Sequence, residues 1–98
     1  MVKIIPEKDI NIPKIKHKTA LQIEIGNKLL ERNEYQNAEM NFKHALADAK
    51  ENKNDIGMCE ALIGLGKVYQ ARNQPNKAKM MFSEAKSIAP DYLNSKFK

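Results

Sequence analysis

The residues of this 98-residue chain whose types could carry chemistry are two histidines, one cysteine and a closely spaced pair of glycines. His17 and His44 lie far apart, with no cysteine or paired acid at a metal-ligand spacing, so they define no metal site. Cys59 has no second thiol, which rules out an internal disulfide. Next to Leu62 and Ile63 at helical spacing, it reads as a small buried hydrophobe. Gly64 and Gly66, in the run GLG, lack the second half of any nucleotide fingerprint and lie inside a helical pattern, so they form no phosphate loop. The acids are scattered singly among lysines, as on solvated helix faces. No nucleophile, base and orienting group come together, and neither enzyme activity, a cofactor nor a metal is expected.

Without chemistry to position, the elements must be read for what they can bind. The chain is 42% hydrophobic and 30% charged, ordinary for one small soluble domain. No window approaches 18 consecutive apolar residues, so no membrane span is expected. The opening MVKIIPEKDI sets charges and Pro6 where a signal peptide needs an apolar run, and a cytoplasmic location is the expectation. The net charge is +5. Five lysines against two acids in residues 1–18 account for +3 of it, leaving the remainder nearly balanced.

Residues 1–18 are rich in isoleucine and interrupted by Pro6 and Pro13, a composition that predicts an extended basic arm. With no arginine and no aromatic residue, that arm is a poor reader of bases, and a nucleic-acid partner is not expected. Beyond it the apolar spacing predicts only helices. They run from about Thr19 to Arg32, Gln36 to Glu51, Ile56 to Arg72 and Pro75 to Ile88 or Ala89, and a short capping helix follows in 91–98. Asn33 and Asn73 stop two of the helices by accepting the left-handed conformation, and Asp55 is the expected cap of the third.

Sliding the chain by 40 residues sets 20–49 on 60–89 with nine identities: Ile23/Ile63, Gly26/Gly66, Arg32/Arg72, Asn33/Asn73, Ala38/Ala78, Met40/Met80, Phe42/Phe82, Ala45/Ala85 and Ala49/Ala89. They fall on core and cap positions, so a helical hairpin has been duplicated. Each helical glycine costs about 1 kcal/mol relative to alanine, which calls for a packing reason. The expected one is close approach of the two helices of a hairpin, Gly26 to Ala38 and Gly66 to Ala78, with Phe42 and Phe82 filling space toward a neighbouring repeat.

The second copy, with Leu62, Leu65-Gly66, Tyr69, Ala78, Phe82 and Pro90, resembles the tetratricopeptide repeat, with Leu62 where the pattern has tryptophan. The first copy matches more weakly, with Gln22 at the tryptophan position, Leu29 for tyrosine and Lys50 for the proline. The family period is about 34 residues, so the period of 40 resembles its longer-repeat class. Its extra residues are expected to lengthen the second helix, which Lys50 leaves unbroken. The resemblance implies an all-α fold, a short right-handed α-solenoid of two repeats (about 19–55 and 56–90) plus a cap over 91–98.

It also implies a protein-interaction module, an adaptor or scaffold that takes a partner peptide or helix in a concave groove. Carried onto this sequence, the groove positions are Ile23, Asn27 and Leu30 in the first copy and Ile63, Lys67 and Gln70 in the second. The family's carboxylate clamp is matched only by Asn27. Ile23 and Gly64 stand where the clamp needs polar residues, so a chaperone-tail clamp is not expected. The alternative is a structural subunit that forms a homo-oligomer or joins a larger complex through its apolar faces and arm.

Overall fold

The computed structural model describes residues 4–90, which form four helices: α1 (Ile4–Glu31), α2 (Tyr35–Glu51), α3 (Asp55–Ala71) and α4 (Pro75–Ile88). No strand occurs among the described residues. Each helix packs on the next, and α1 also touches α3. The chain is therefore two hairpins, α1–α2 and α3–α4, joined face to face by α2 and α3, an all-α helical-repeat solenoid. The cap expected over 91–98 lies outside the described residues.

All three turns have one geometry. Asn33, Lys53 and Asn73 take positive φ values of 63°, 54° and 59°. In each turn the following N–H reaches back five residues, from Glu34 to the Leu29 carbonyl, Asn54 to Ala49 and Gln74 to Tyr69, at 2.8–2.9 Å. The left-handed residue itself donates to the carbonyl three back, at Leu30, Lys50 and Gln70. This pair of bonds satisfies carbonyls that a helix end leaves free. The helix cap after the middle turn is Asn54, whose side chain accepts from the Gly57 N–H at 3.0 Å, rather than the expected Asp55, which is the first helical residue. Pro75 opens α4, where its missing N–H costs nothing.

Two expectations are corrected. Residues 4–18 continue α1 and do not form an extended arm. β-Branched isoleucine disfavours a helix by only a few tenths of a kcal/mol, and Pro6 falls in the first turn, where no N–H is needed; only Pro13 gives up a helical bond. The lengthening of α2, too, is smaller than six residues when set against its own copy: from the equivalent alanines, α2 runs six residues past Ala45 and α4 three past Ala85, a difference of three.

The core is built on phenylalanine rings seated on glycine. A Cβ placed on Gly26 would come within 2.7 Å of the Phe42 ring, and one on Gly64 would overlap the same ring. Gly66 seats Phe82 in the same way, at 2.5 Å. The glycines therefore admit the ring of their own hairpin, not simply the facing helix, and Phe42 is held between its own hairpin and the next. It is fully buried among Ile23, Ala38, Ala45, Ala61, Leu65 and Val68. A second cluster, Cys59, Leu62 and Ala85, closes the α3–α4 hairpin, with the Cys59 thiol donating to the Ala85 carbonyl at 3.2 Å. Burial pushes that thiol's pKa up, so it serves as a small core residue.

Candidate partner-binding surface

The six groove positions divide sharply by exposure. Ile23 is buried at 8% exposure and belongs to the core around Phe42. Leu30 is half-buried against the same core, and Ile63 is half-buried against Cys59, Leu62 and Ala85. Asn27, Lys67 and Gln70 are exposed. Asn27 and Lys67 are equivalent positions of the two repeats, on helices α1 and α3 that touch, and Gln70 lies one turn beyond Lys67 on the same face. The surface a ligand can reach is thus polar with one cation, edged by two half-buried aliphatic side chains. It offers hydrogen bonds and a charge to a polypeptide and has no nucleophile or general base.

The densest polar cluster lies at the repeat junction. Glu39 on α2 accepts from the Tyr69 phenol at 2.8 Å and from Arg72 at 2.9 Å, and pairs with Lys43 one turn on at 3.2 Å. Lys77 sits 5.3 Å from the Tyr69 ring centroid, a cation–π distance. Burial, together with the bond to and charge of Glu39, drives the Tyr69 phenol up to about 12. A phenol so raised keeps its proton and donates to Glu39, so the cluster fastens α2 to α3. Burial alone would raise the Glu39 carboxyl as well, but the bonds from Tyr69 and Lys43 and the charges of Lys43 and Arg72 bring it below its usual value.

Sequence reading missed this cluster, because Glu39 and Tyr69 lie 30 residues apart and no local pattern links them. It also missed the bond from the Thr19 hydroxyl to Asp48, which ties α1 to α2. Gly64 was legible as a helical glycine but not as the seat of a ring from the preceding hairpin. Among the described residues no three His, Cys, Asp or Glu side chains gather to hold a metal, and no helix is long and apolar enough to cross a membrane.

No curated protein and no solved structure matches the chain. Residues 19–91, most of its length, do match the family model for the tetratricopeptide repeat. The match begins where the first repeat was drawn and spans both hairpins, their three left-handed turns and the ring-on-glycine core. The chain therefore belongs to the tetratricopeptide repeat family.

Proposed function

We propose that the chain is an adaptor that takes a segment of a partner protein across the α1–α3 face. Tetratricopeptide repeats generally mediate protein–protein interactions, which supports the class of function. The observation that carries the face is the exposure of Asn27 and Lys67 at equivalent positions of adjacent helices, with Gln70 one turn on. Of the original six positions, Asn27, Lys67 and Gln70 contact the ligand directly, Leu30 and Ile63 supply its apolar margin, and Ile23 supports the face from below.

Lys67→Glu tests the reading cleanly, because Lys67 is exposed and its replacement leaves the core intact. The expected result is loss of the captured partner from a cell extract, with the helical circular dichroism unchanged and the effect reproduced on a synthetic peptide from that partner. Capture unaffected by both Lys67→Glu and Gln70→Ala rejects the face. Ile63→Glu is a poorer probe, since it also charges a side chain packed on the α3–α4 core.

The assembly-subunit alternative draws on Leu21 and Ile25, exposed at 55% and 39% one turn apart on α1. A strict monomer in light scattering at high concentration removes it.

A further inference from the structure

The junction between the hairpins is a template for what the outer side of α4 accepts. Along α2 the side chains that meet α3 are Glu39, bonded to Tyr69 and Arg72; Phe42, seated on Gly64; and Leu46, packed on the cluster of Cys59, Leu62 and Ala85. The same positions of α4, 40 residues on, are Lys79, Phe82 and Lys86. Phe82 is half-buried and both lysines are exposed.

We infer that this face of α4 docks a helix of a partner protein that presents a small residue over Phe82 and acidic residues toward Lys79 and Lys86. The small residue follows from the ring, because a Cβ at Gly64 would overlap Phe42, so a helix covering a phenyl ring at this position must leave room for it. The acids follow from charge. Lys79 stands where Glu39 receives the Arg72 guanidinium, so the complementary group is now a carboxylate, and Lys86 in place of Leu46 adds a second cation beyond the ring.

A second copy of this chain does not meet that description. Stacked head to tail, its α1 would set Glu24 at the position of Gly64, over the ring, and Arg32 at the position of Arg72, against Lys79. Residues 91–98, DYLNSKFK, carry two lysines and one aspartate and lack the charge as well. The face is separate from the Asn27, Lys67 and Gln70 surface, so the two sites fail or stand independently.

Two synthetic peptides test the inference by fluorescence anisotropy with the full chain. One has the sequence of residues 55–72, and the other has the same sequence with Tyr69→Glu and Arg72→Glu. The acidic peptide is expected to bind saturably and about tenfold more tightly than the native one. Lys79→Glu in the chain should reverse that preference, and Lys79→Gln should abolish it; both replace an exposed side chain and should leave helicity intact. Phe82→Ala should weaken both peptides, and Gly64→Leu in the acidic peptide should prevent binding. The inference is overturned by absent saturable binding of the acidic peptide, by equal affinities, or by a preference that survives Lys79→Glu. A concentration-dependent oligomer that Phe82→Ala dissolves would also overturn it, by assigning the face to a second copy.

Discussion

Phe42 and Phe82 occupy the same place in two copies of one hairpin and meet different surroundings. Each rests on the glycine of its own hairpin, Gly26 or Gly66. Phe42 is closed from the other side by Gly64 of the next hairpin, whereas Phe82 has no such counterpart among the described residues and stays half-buried. The two copies differ in the reverse sense at the position of the family tryptophan. Leu62 there is buried in an apolar cluster, while Gln22 holds a side-chain oxygen with no hydrogen-bond partner among the described residues. Repetition therefore fixes the hairpin, but the stability of each copy depends on its neighbour, as in a stack whose units bury their faces on one another.

The largest expected difference follows directly. Phe42→Ala should cost about 3–5 kcal/mol, the usual range for a fully buried phenyl, and Phe82→Ala roughly half of that. Urea unfolding of the two variants measures both. Equal losses would break the comparison, because they would mean that Phe82 is as enclosed in solution as Phe42.

The glycines sharpen it. Alanine at either position gains about 1 kcal/mol of helix propensity, and at Gly64 it would have to displace a ring with no free side. Overpacking of that kind costs about 1–3 kcal/mol, so Gly64→Ala should be destabilising overall. Among the described residues no second glycine helix closes on the half-buried Phe82 ring, which leaves it room to shift, and Gly66→Ala should fall near neutral. If Gly66→Ala proves as costly as Gly64→Ala, the Phe82 ring is as firmly pinned as that of Phe42.

Much of this was legible in the chain. The four helices begin and end within a residue or two of where the apolar spacing sets them, apart from the start of α1, and Asn33 and Asn73 take the left-handed conformation that their type suggests. Lys53 does so as well, but lysine carries no such signal, so the 20-residue spacing of three identical turns was hidden behind the 40-residue repeat. The start of α1 was not legible because isoleucine disfavours a helix only weakly while Pro13, which ordinarily costs a helix interior about 3 kcal/mol, signals a break through which α1 nevertheless continues. In the proposed site, Asn27, Lys67 and Gln70 are exposed, but Ile23 is buried, since the groove stripe borders the core stripe and spacing alone does not divide them. Nothing local announces Glu39 and Tyr69, which meet only through the packing of α2 on α3.

That junction supplies a pH signature that the equivalent position of α4 lacks, since Lys79 stands there in place of Glu39. The folded phenol of Tyr69, at about 12, lies above its ordinary 10.0, so its contribution to stability is fully present below pH 10 and is lost as pH rises toward 12. Glu39 behaves oppositely. Its folded carboxyl lies below 4.5, and its contribution is present above that value and disappears as pH falls through the folded one. Tyr69→Phe should therefore be less stable than the parent at neutral pH, with the gap closing between pH 10 and 12. A gap that stays constant in that range, read from thermal melts, would show that the Tyr69–Glu39 bond does not hold the hairpins together.

The smallest expected effect concerns the turn that joins the repeats. Lys53 takes a φ of 54° with the same backbone bonds as Asn33 and Asn73, but its longer side chain has no local hydrogen bond to offset the left-handed conformation. Lys53→Asn makes the three turns alike and should stabilise the chain by about 0.5–1 kcal/mol, a rise of a few degrees in melting temperature for a domain of this size. The Glu39 cluster and Phe42 lie away from this turn, so the gain should add to the effects of their variants. If Lys53→Asn leaves the melting temperature unchanged, the inter-repeat turn relaxes in solution to a conformation unlike the other two, and the equivalence of the three turns fails at the junction on which the stack depends.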